Sequence, residues 1–143
     1  MTSQLNVDTI VDKAGSSGPS LPNTTTIKMG NTSTYVSDGG ATTQNTVQGL
    51  AKCWVNFKSA STFVTNDSFN VSSIADNDAG VGTVSITNNM NNDDYAVTVS
   101  SQAINILNEE ASQAVGSFKL FTFNSSVVAA DYQKSASLHG DLA

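Results

Sequence analysis

Carboxylate side chains cluster in the segment Asp76-Asn-Asp-Ala-Gly80, and acidic residues at this spacing open many calcium-binding loops. A loop of that type counted from Asp76 needs a glycine at its sixth position and a bidentate glutamate at its twelfth, where this chain has Val81 and Thr87. Turn chemistry explains the segment better, because Asn, Asp and Gly are common turn residues. A second acidic turn, residues 91–94, could hold a divalent ion only weakly, in a symmetric assembly. We therefore predict no metal site and no cofactor.

Two side chains that are often catalytic occur once each, Cys53 and His139. Cys53 stands beside Trp54 in an apolar run, where a free cysteine commonly packs as a small hydrophobe, and a single cysteine forms no intrachain disulfide. His139 could be grouped with Asp131 and any of many serines into a triad, but the chain has no Gly-x-Ser-x-Gly elbow to expose such a serine. We predict that Cys53 is structural and that His139 is exposed to solvent.

Paired carboxylates could cleave a glycosidic bond, which makes the adjacent residues Glu109 and Glu110 worth testing for that role. Neither these nor the other acids, which stand in Asn- and Gly-rich turns, have the apolar and aromatic neighbours that raise the pKa of a general acid. The chain is therefore predicted not to be an enzyme.

The composition excludes several other classes of protein. Six basic residues against twelve acidic ones give a net charge of −6, which repels phosphate backbones and argues against nucleic-acid binding. About a third of the residues are Ser, Thr or Asn, which suits short strands joined by polar turns. No apolar run approaches the roughly 20 residues that cross a bilayer, and the N-terminus has no signal-peptide pattern. We expect synthesis in the cytoplasm and release by another route, such as lysis, with no membrane insertion.

The chain divides into an arm, a stalk and a head. In the arm, residues 1–22, Leu5, Val7 and Thr9 alternate with polar residues in the manner of one short strand, and Ile10 follows directly. A lone strand cannot bury its apolar face, so we expect the arm to dock on another molecule, unless it is a frayed tail.

The stalk, residues 23–48, is rich in Thr, Asn and Gly. Such a connector is either a flexible coil or an extended segment ordered by neighbouring copies. We favour the second, because its few apolar residues suit contacts along a multimer axis; these are Ile27, Met29, Tyr35 and Val36.

The head, residues 49–143, shows short apolar runs every 8 to 12 residues, a spacing typical of a sandwich or barrel. Connections are short, which favours antiparallel pairing. Cys53, Val55 and Phe57 are predicted to share one face of the first strand, with Trp54 and Asn56 on the other. The runs lie at 51–57, 62–65, 69–74, 84–86, 95–99, 118–123, 127–128 and 132–138.

Turns are predicted at residues 66–67, 76–80 and 91–94, where Asn, Asp and Gly cluster. For residues 102–114 the sequence allows two structures. Helical spacing is seen for Ile104, Leu107, Ala111 and Ala114, which favours a helix. The segment lacks helix caps, however, and a loop with one helical turn is the alternative. The fold class is therefore all-β: an antiparallel, jelly-roll-like β-sandwich with an extended N-terminal arm and stalk.

Three segments of the head resemble a known family: Ala51-Lys-Cys-Trp-Val-Asn-Phe57, Ser68-Phe-Asn-Val-Ser-Ser-Ile74 and Tyr95-Ala-Val97. Together with the Leu-x-Val-Asp-Thr-Ile pattern of the arm, they resemble the tail-fibre and other virion structural proteins of aquatic, cyanophage-like tailed bacteriophages. The usual Gly- and Thr-rich tip is replaced here by residues 58–62, and residues 102–114 depart from the family altogether.

This resemblance implies a homotrimer attached to the virion through its arm, at Leu5, Val7, Thr9 and Ile10. The leading hypothesis is a short tail fibre whose head attaches to a host-surface glycan through Ser, Thr, Asn and aromatic side chains in exposed loops. An adaptor or capsid-decoration protein that touches no receptor is the alternative. A cellular carbohydrate-binding module is a third reading.

Overall fold

The computed structural model describes residues 29–30, 32–36, 43–60, 62–103 and 105–142. The predicted arm residues Leu5, Val7, Thr9 and Ile10, and the predicted stalk contact Ile27, lie outside this part of the chain. Within the stalk region, strands β1 (Thr34–Val36) and β2 (Thr43–Asn45) pair antiparallel and lead into a short helix, α1 (Thr46–Gly49). The sequence did not predict this pair or the helix. The Asn45 side chain caps α1 by accepting a 2.8 Å hydrogen bond from the Gln48 amide.

Among the described residues, the head contains eight strands and one 3₁₀ turn. They are β3 (Cys53–Ala60), β4 (Thr62–Phe69), β5 (Val71–Asp78), β6 (Val81–Ile86), β7 (Ala96–Ser101), β8 (Asn105–Asn108), the 3₁₀ turn Glu110–Ser112, β9 (Ser117–Phe123) and β10 (Gln133–His139).

The eight strands form two four-stranded sheets, ordered β4-β3-β10-β7 and β5-β6-β9-β8. All the pairings in these sheets are antiparallel. The chain passes between the sheets at one edge through Asn70, which joins β4 to β5, and at the opposite edge between β7 and β8. The predicted all-β antiparallel sandwich is confirmed.

The core lies between the inward faces of the two sheets, where alternate residues of each strand are buried. Cys53, Val55 and Phe57 are buried on the inner face of β3, as predicted, and Trp54 points outward. Phe118 and Leu120 of β9 are fully buried in the same core. Because buried and outward-pointing residues alternate along each strand, the residues between the buried ones lie on the outer face of the sheet β4-β3-β10-β7.

A lysine also lies in this core. Lys134 of β10 is fully buried, and its ammonium donates a 2.7 Å hydrogen bond to the carbonyl oxygen of Gly80. The ammonium also lies 5.8 Å from the ring centroids of Phe57 and Phe63, a distance at which the rings attract a cation. Burial lowers the pKa of Lys134, and the nearby negative charge of Asp131 acts in the opposite direction.

One predicted turn proved to be strand, and a second is shorter than predicted. β4 continues through Asn66 and Asp67, where the register shifts by a β-bulge, whereas the turn predicted at residues 76–80 is confirmed only at Ala79 and Gly80, because β5 continues to Asp78. The change of direction between β4 and β5 occurs at Asn70, whose φ of 60° places it in the left-handed region. Its side-chain amide holds this corner by donating to the carbonyl oxygens of Lys52 and Asn88, at 2.9 and 3.2 Å. Asparagine tolerates this conformation better than most residues, which explains one sharp corner without a glycine.

The segment 102–114, for which the sequence allowed either a helix or a loop, contains a strand as well as one helical turn. β8 pairs with β9, and the 3₁₀ turn follows at Glu110–Ser112. The helical spacing of Leu107 and its neighbours did not decide the structure, because pairing with a strand distant in sequence outweighed the local pattern. The short run at Val127 and Val128 is an exposed turn rather than a strand.

Candidate functional site

The outer face of the sheet β4-β3-β10-β7 is the most distinctive surface of the described residues, and we call it the polar plate. Strand register arranges most of its side chains in three rows, of which the first two cross all four strands and the third crosses β4, β3 and β10. The rows are Phe69-Trp54-Ser137-Thr98, then Asp67-Asn56-Ser135-Ser100, and finally Val64-Lys58-Gln133. Neighbouring strands lie about 4.8 Å apart and successive rows about 7 Å apart, so most of the plate is a field of closely spaced polar groups.

Asn56 organises the centre of the plate. Its Nδ2 donates a 2.6 Å hydrogen bond to Oγ of Ser135, and its Oδ1 accepts from Nδ2 of Asn66 at 2.5 Å and from Nε2 of Gln133 at 3.1 Å. The bulge in β4 brings Asn66 into this network, because it adds one residue to the strand opposite Asn56 and Phe57. The three amides are thus held in fixed orientations.

Several polar atoms of the plate have no partner within the described part of the chain. The hydroxyls of Thr98, Ser100 and Ser137 make no hydrogen bond there, nor do the amide oxygens of Asn66 and Gln133. Two shallow depressions of about 200 Å³ each run along the boundary of β7 and β10, where the hydroxyls lie. The plate therefore offers both donors and acceptors to an outside ligand.

Aromatic side chains border the plate at one end. Trp54 is 38% exposed and Phe69, directly opposite it on β4, is 54% exposed. Exposed aromatic rings give a flat apolar surface, and the indole adds a hydrogen-bond donor at its edge. A ligand with an apolar face and a polar rim would satisfy both groups.

A second surface, the junction groove, lies where the chain enters the head. Its volume is about 470 Å³, and it is lined by Val47, Leu50, Ala51, Lys52, Phe69, Asp141 and Leu142. Leu50 is 57% exposed. The buried Lys52 ammonium donates to the carbonyl oxygens of Val47 and Leu50, and this bond ties the end of α1 to the head.

The predicted stalk contacts Met29, Tyr35 and Val36 are all exposed, and Tyr35 reaches 62%. Tyr35 and Val36 lie on β1, opposite Gln44 and Thr43. Helix α1 joins this pair to the junction groove, because the Thr46 amide donates to the Ser33 carbonyl and Val47 lines the groove. Exposed apolar side chains are therefore present both in the stalk, at Tyr35 and Val36, and at the base of the head, at Leu50.

The residues considered and rejected as metal ligands or catalytic groups in the sequence analysis make local contacts in the structure. Asp78 accepts a hydrogen bond from the Ala79 amide, and Asn77 accepts one from the Thr83 hydroxyl, as expected for turn and strand-end chemistry. Among the residues that the structure describes, no cluster of three His, Cys, Asp or Glu side chains could hold a metal ion. Burial raises the pKa of the Cys53 thiol to about 11, so it remains a thiol at neutral pH. His139 lies in β10 and is half-buried, so the prediction that solvent surrounds it was wrong.

Comparison of the chain with protein-family models, with curated proteins and with solved structures finds no match in any of the three. Within the described ranges no helix has the length and apolar character to cross a membrane. The function is therefore argued from the polar plate and the junction groove.

Sequence reasoning placed Trp54 and Asn56 on the face of their strand opposite to Cys53, Val55 and Phe57. The structure confirms this division and shows that the face with Trp54 points outward. Sequence reasoning did not find the partners of these residues, because β10 and β7 join β3 from positions far along the chain. The alternation of Ser135, Ser137, Thr98 and Ser100 with apolar residues is the signal that could have pointed to them.

Proposed function

We propose that this chain is a virion structural protein, a short homotrimeric tail fibre of a tailed bacteriophage whose head attaches to a glycan on the host surface. The observation that carries the proposal is the exposure of the apolar side chains Tyr35, Val36 and Leu50, which precede and follow α1, together with the apolar residues that line the junction groove. Exposed apolar side chains beside an apolar groove favour contact with a second molecule.

Self-association is the simplest way to cover this surface. A two-stranded pair of three residues each has little stability alone in water, and an assembly of identical chains would bury its side chains around a common axis. Fibres built in this way display their heads at the end away from the point of attachment.

The polar plate supports the attachment role of the head. Its residues are mainly hydroxyls and amides with exposed aromatic rings at one end, which resembles the composition of adaptable binding surfaces more than that of a buried subunit contact. The arm, residues 1–22, is proposed to join the chain to the particle.

Immunogold electron microscopy of intact particles tests the proposal. Antibodies raised against the full chain should label the particle surface and should block adsorption to the host. Label without any block of adsorption would favour a capsid-decoration role, and label that appears only on disrupted particles would favour the adaptor. Absence of the chain from purified particles by mass spectrometry would contradict all of these virion roles.

A further inference from the structure

We infer that the polar plate binds a neutral, linear polysaccharide, with a sugar ring stacked on Trp54 and the next rings lying across β10 and β7. The inference rests on the proposed function, because it names the class of glycan that the head takes and the surface that takes it. It places the site on a sheet face, whereas the sequence alone suggested exposed loops.

Trp54 supplies the apolar part of the site. One face of a pyranose ring carries mainly C–H groups, which pack on a flat aromatic surface, while the ring hydroxyls point outward to its rim. Ser137 lies directly beside Trp54 in the register of β3 and β10, and Thr98 follows on β7. A ring on the indole would therefore have a hydroxyl-bearing neighbour on the adjoining strand.

The polar part of the site is already organised. Asn56 fixes the amides of Asn66 and Gln133 through hydrogen bonds of 2.5 and 3.1 Å, and each of these amides keeps an oxygen free of partners in the described chain. Groups that are held before binding lose little conformational entropy when a ligand arrives. Fixed acceptors and rotatable hydroxyls together suit the mixed donor and acceptor pattern of a sugar.

Charge decides between neutral and acidic glycans. The plate carries one cationic side chain, Lys58, and one carboxylate, Asp67, in different rows. The whole chain has a net charge of −6. The plate itself is close to neutral and has no cluster of basic side chains to attract a polyanion such as an acidic capsule, and the negative charge of the whole chain adds a longer-range repulsion.

The open shape of the plate favours binding to the interior of a glycan chain over binding to its terminal sugar. The depressions at β7 and β10 hold only about 200 Å³ each and lie open on the outer face of the sheet. An open face does not enclose a terminal sugar, whereas it accepts a chain that continues past both edges. The row from Trp54 to Thr98 crosses three strands, or about 10 Å, which leaves room for a short run of rings.

The single tryptophan makes the test direct, because all indole fluorescence of the chain comes from Trp54. The full chain is titrated with neutral polysaccharides (dextran, laminarin, mannan and galactomannan) and with acidic ones (alginate and polygalacturonate). We expect a saturable change in Trp54 emission with at least one neutral polysaccharide and none with the acidic ones at the same concentrations.

Variants make the assignment to the plate specific, with affinity gel electrophoresis as the readout. Trp54→Ala should weaken retardation by the bound polysaccharide at least tenfold, and Trp54→Phe should keep a substantial part of it. Leu107→Ala is the matched control, since Leu107 is a similarly exposed apolar residue on the other sheet, and it should change nothing. Circular dichroism confirms that each variant is folded.

Three results would overturn the inference: no neutral polysaccharide is bound, an acidic one is bound more tightly, or Trp54→Ala binds as well as the parent chain. The fibre proposal fails separately. A trimeric virion protein that binds no neutral polysaccharide removes this inference alone, whereas a monomer that binds one through Trp54 supports the inference and removes the fibre.

Discussion

The Nδ2 atom of Asn56 donates a 2.6 Å hydrogen bond to Oγ of Ser135, which links neighbouring strands that lie far apart in the sequence. Oδ1 of the same amide accepts two further bonds from Asn66 and Gln133. One side chain of β3 thus holds polar groups from the two neighbouring strands, β4 and β10, in place on the polar plate.

Asn56→Ala tests whether this network matters. The substitution removes the acceptor of the exposed Asn66 amide and of the half-buried Gln133 amide, so we expect a loss of about 0.5–1.5 kcal/mol in the free energy of unfolding. Polysaccharide binding should weaken as well, because the amides of Asn66 and Gln133 lose their fixed orientation. Urea denaturation and fluorescence titration measure the two effects. Asn105→Ala on β8, an exposed asparagine outside any such network, should show neither, and equal losses in both variants would refute the role of Asn56.

Gly80→Ala should be severely destabilising. Gly80 has a φ of 75°, and an added Cβ would lie 2.5 Å from the Thr122 carbonyl oxygen and 2.7 Å from the Ala130 nitrogen. Strain and overlap with backbone together predict a loss of about 3 kcal/mol or more, measured by thermal or urea unfolding. The control is Gly49→Ala, where nothing lies within 4 Å of the added carbon, and no loss is expected there. A stable Gly80→Ala protein would show that the β5–β6 turn is placed wrongly.

Lys134→Met should leave the head as stable as before or stabilise it by about 1–2 kcal/mol at neutral pH, because an apolar side chain of similar length replaces a buried ammonium. The Thr122 amide, which donates to the Gly80 carbonyl at 2.9 Å, remains as a partner for that oxygen. Lys58→Met, on the exposed face of β3, is the matched control and should have little effect. A large loss of stability in Lys134→Met alone would mean that the ammonium is a net stabilising group.

Lys134 also predicts a pH dependence. Its folded-state pKa lies below the value of 10.5 expected in the unfolded chain, so between the two the unfolded chain binds more protons. The cost of burying the ammonium is therefore full below the folded pKa and is relieved as the pH rises towards 10.5. Urea denaturation from pH 7 to 10.5 measures the effect: the gain in the free energy of unfolding that Lys134 gives the parent chain as the pH rises should be absent from Lys134→Met.

Between pH 9 and 11, deprotonation of Cys53 is expected to lower the free energy of unfolding, whereas deprotonation of Lys134 raises it. Burial raises the pKa of the Cys53 thiol from 9.0 to about 11, so the unfolded chain loses its proton first. Stability should fall between these pH values by up to about 3 kcal/mol from this group. Cys53→Ala should lack this part of the decline, although its absolute stability also changes. A decline of equal slope in the parent and the variant would contradict the assignment.

The stalk residues predict a change of assembly. Replacing Tyr35 and Val36 together by Ser should shift the chain towards monomers, because both side chains are exposed on β1 and are proposed to meet their counterparts in neighbouring copies. Val64→Ser and Leu107→Ser remove exposed apolar side chains elsewhere and should leave the assembly unchanged. Analytical ultracentrifugation over a range of concentrations measures the shift. Equal effects of all these variants would point to non-specific association.

The strand alternation made much of the head predictable. Cys53, Val55 and Phe57 alternate with Trp54 and Asn56, and a period of two fixes which side chains face the core. Turn composition was less informative. Asn and Asp favour turns, but Asn66 lies in a bulge and Asp76 in a strand, because pairing with β3 and β6 outweighs local preference.

The site was predictable only in part. The outward position of Trp54 follows from its own strand, whereas its neighbours Ser137 and Phe69 depend on which strands flank β3. Ser137 is brought there by a pairing between the beginning and the end of the head, and nothing local in the sequence specifies such a pairing. A plate assembled across four strands is therefore visible only in the folded chain.

The central claim is that the chain self-associates, so that Tyr35, Val36 and Leu50, which are exposed in one chain, are covered by other copies. Size-exclusion chromatography with light scattering on the full chain at micromolar concentration tests this most directly. The account predicts a mass three times the 14.8 kDa of one chain, stable on dilution. A mass of 14.8 kDa at every concentration would contradict it.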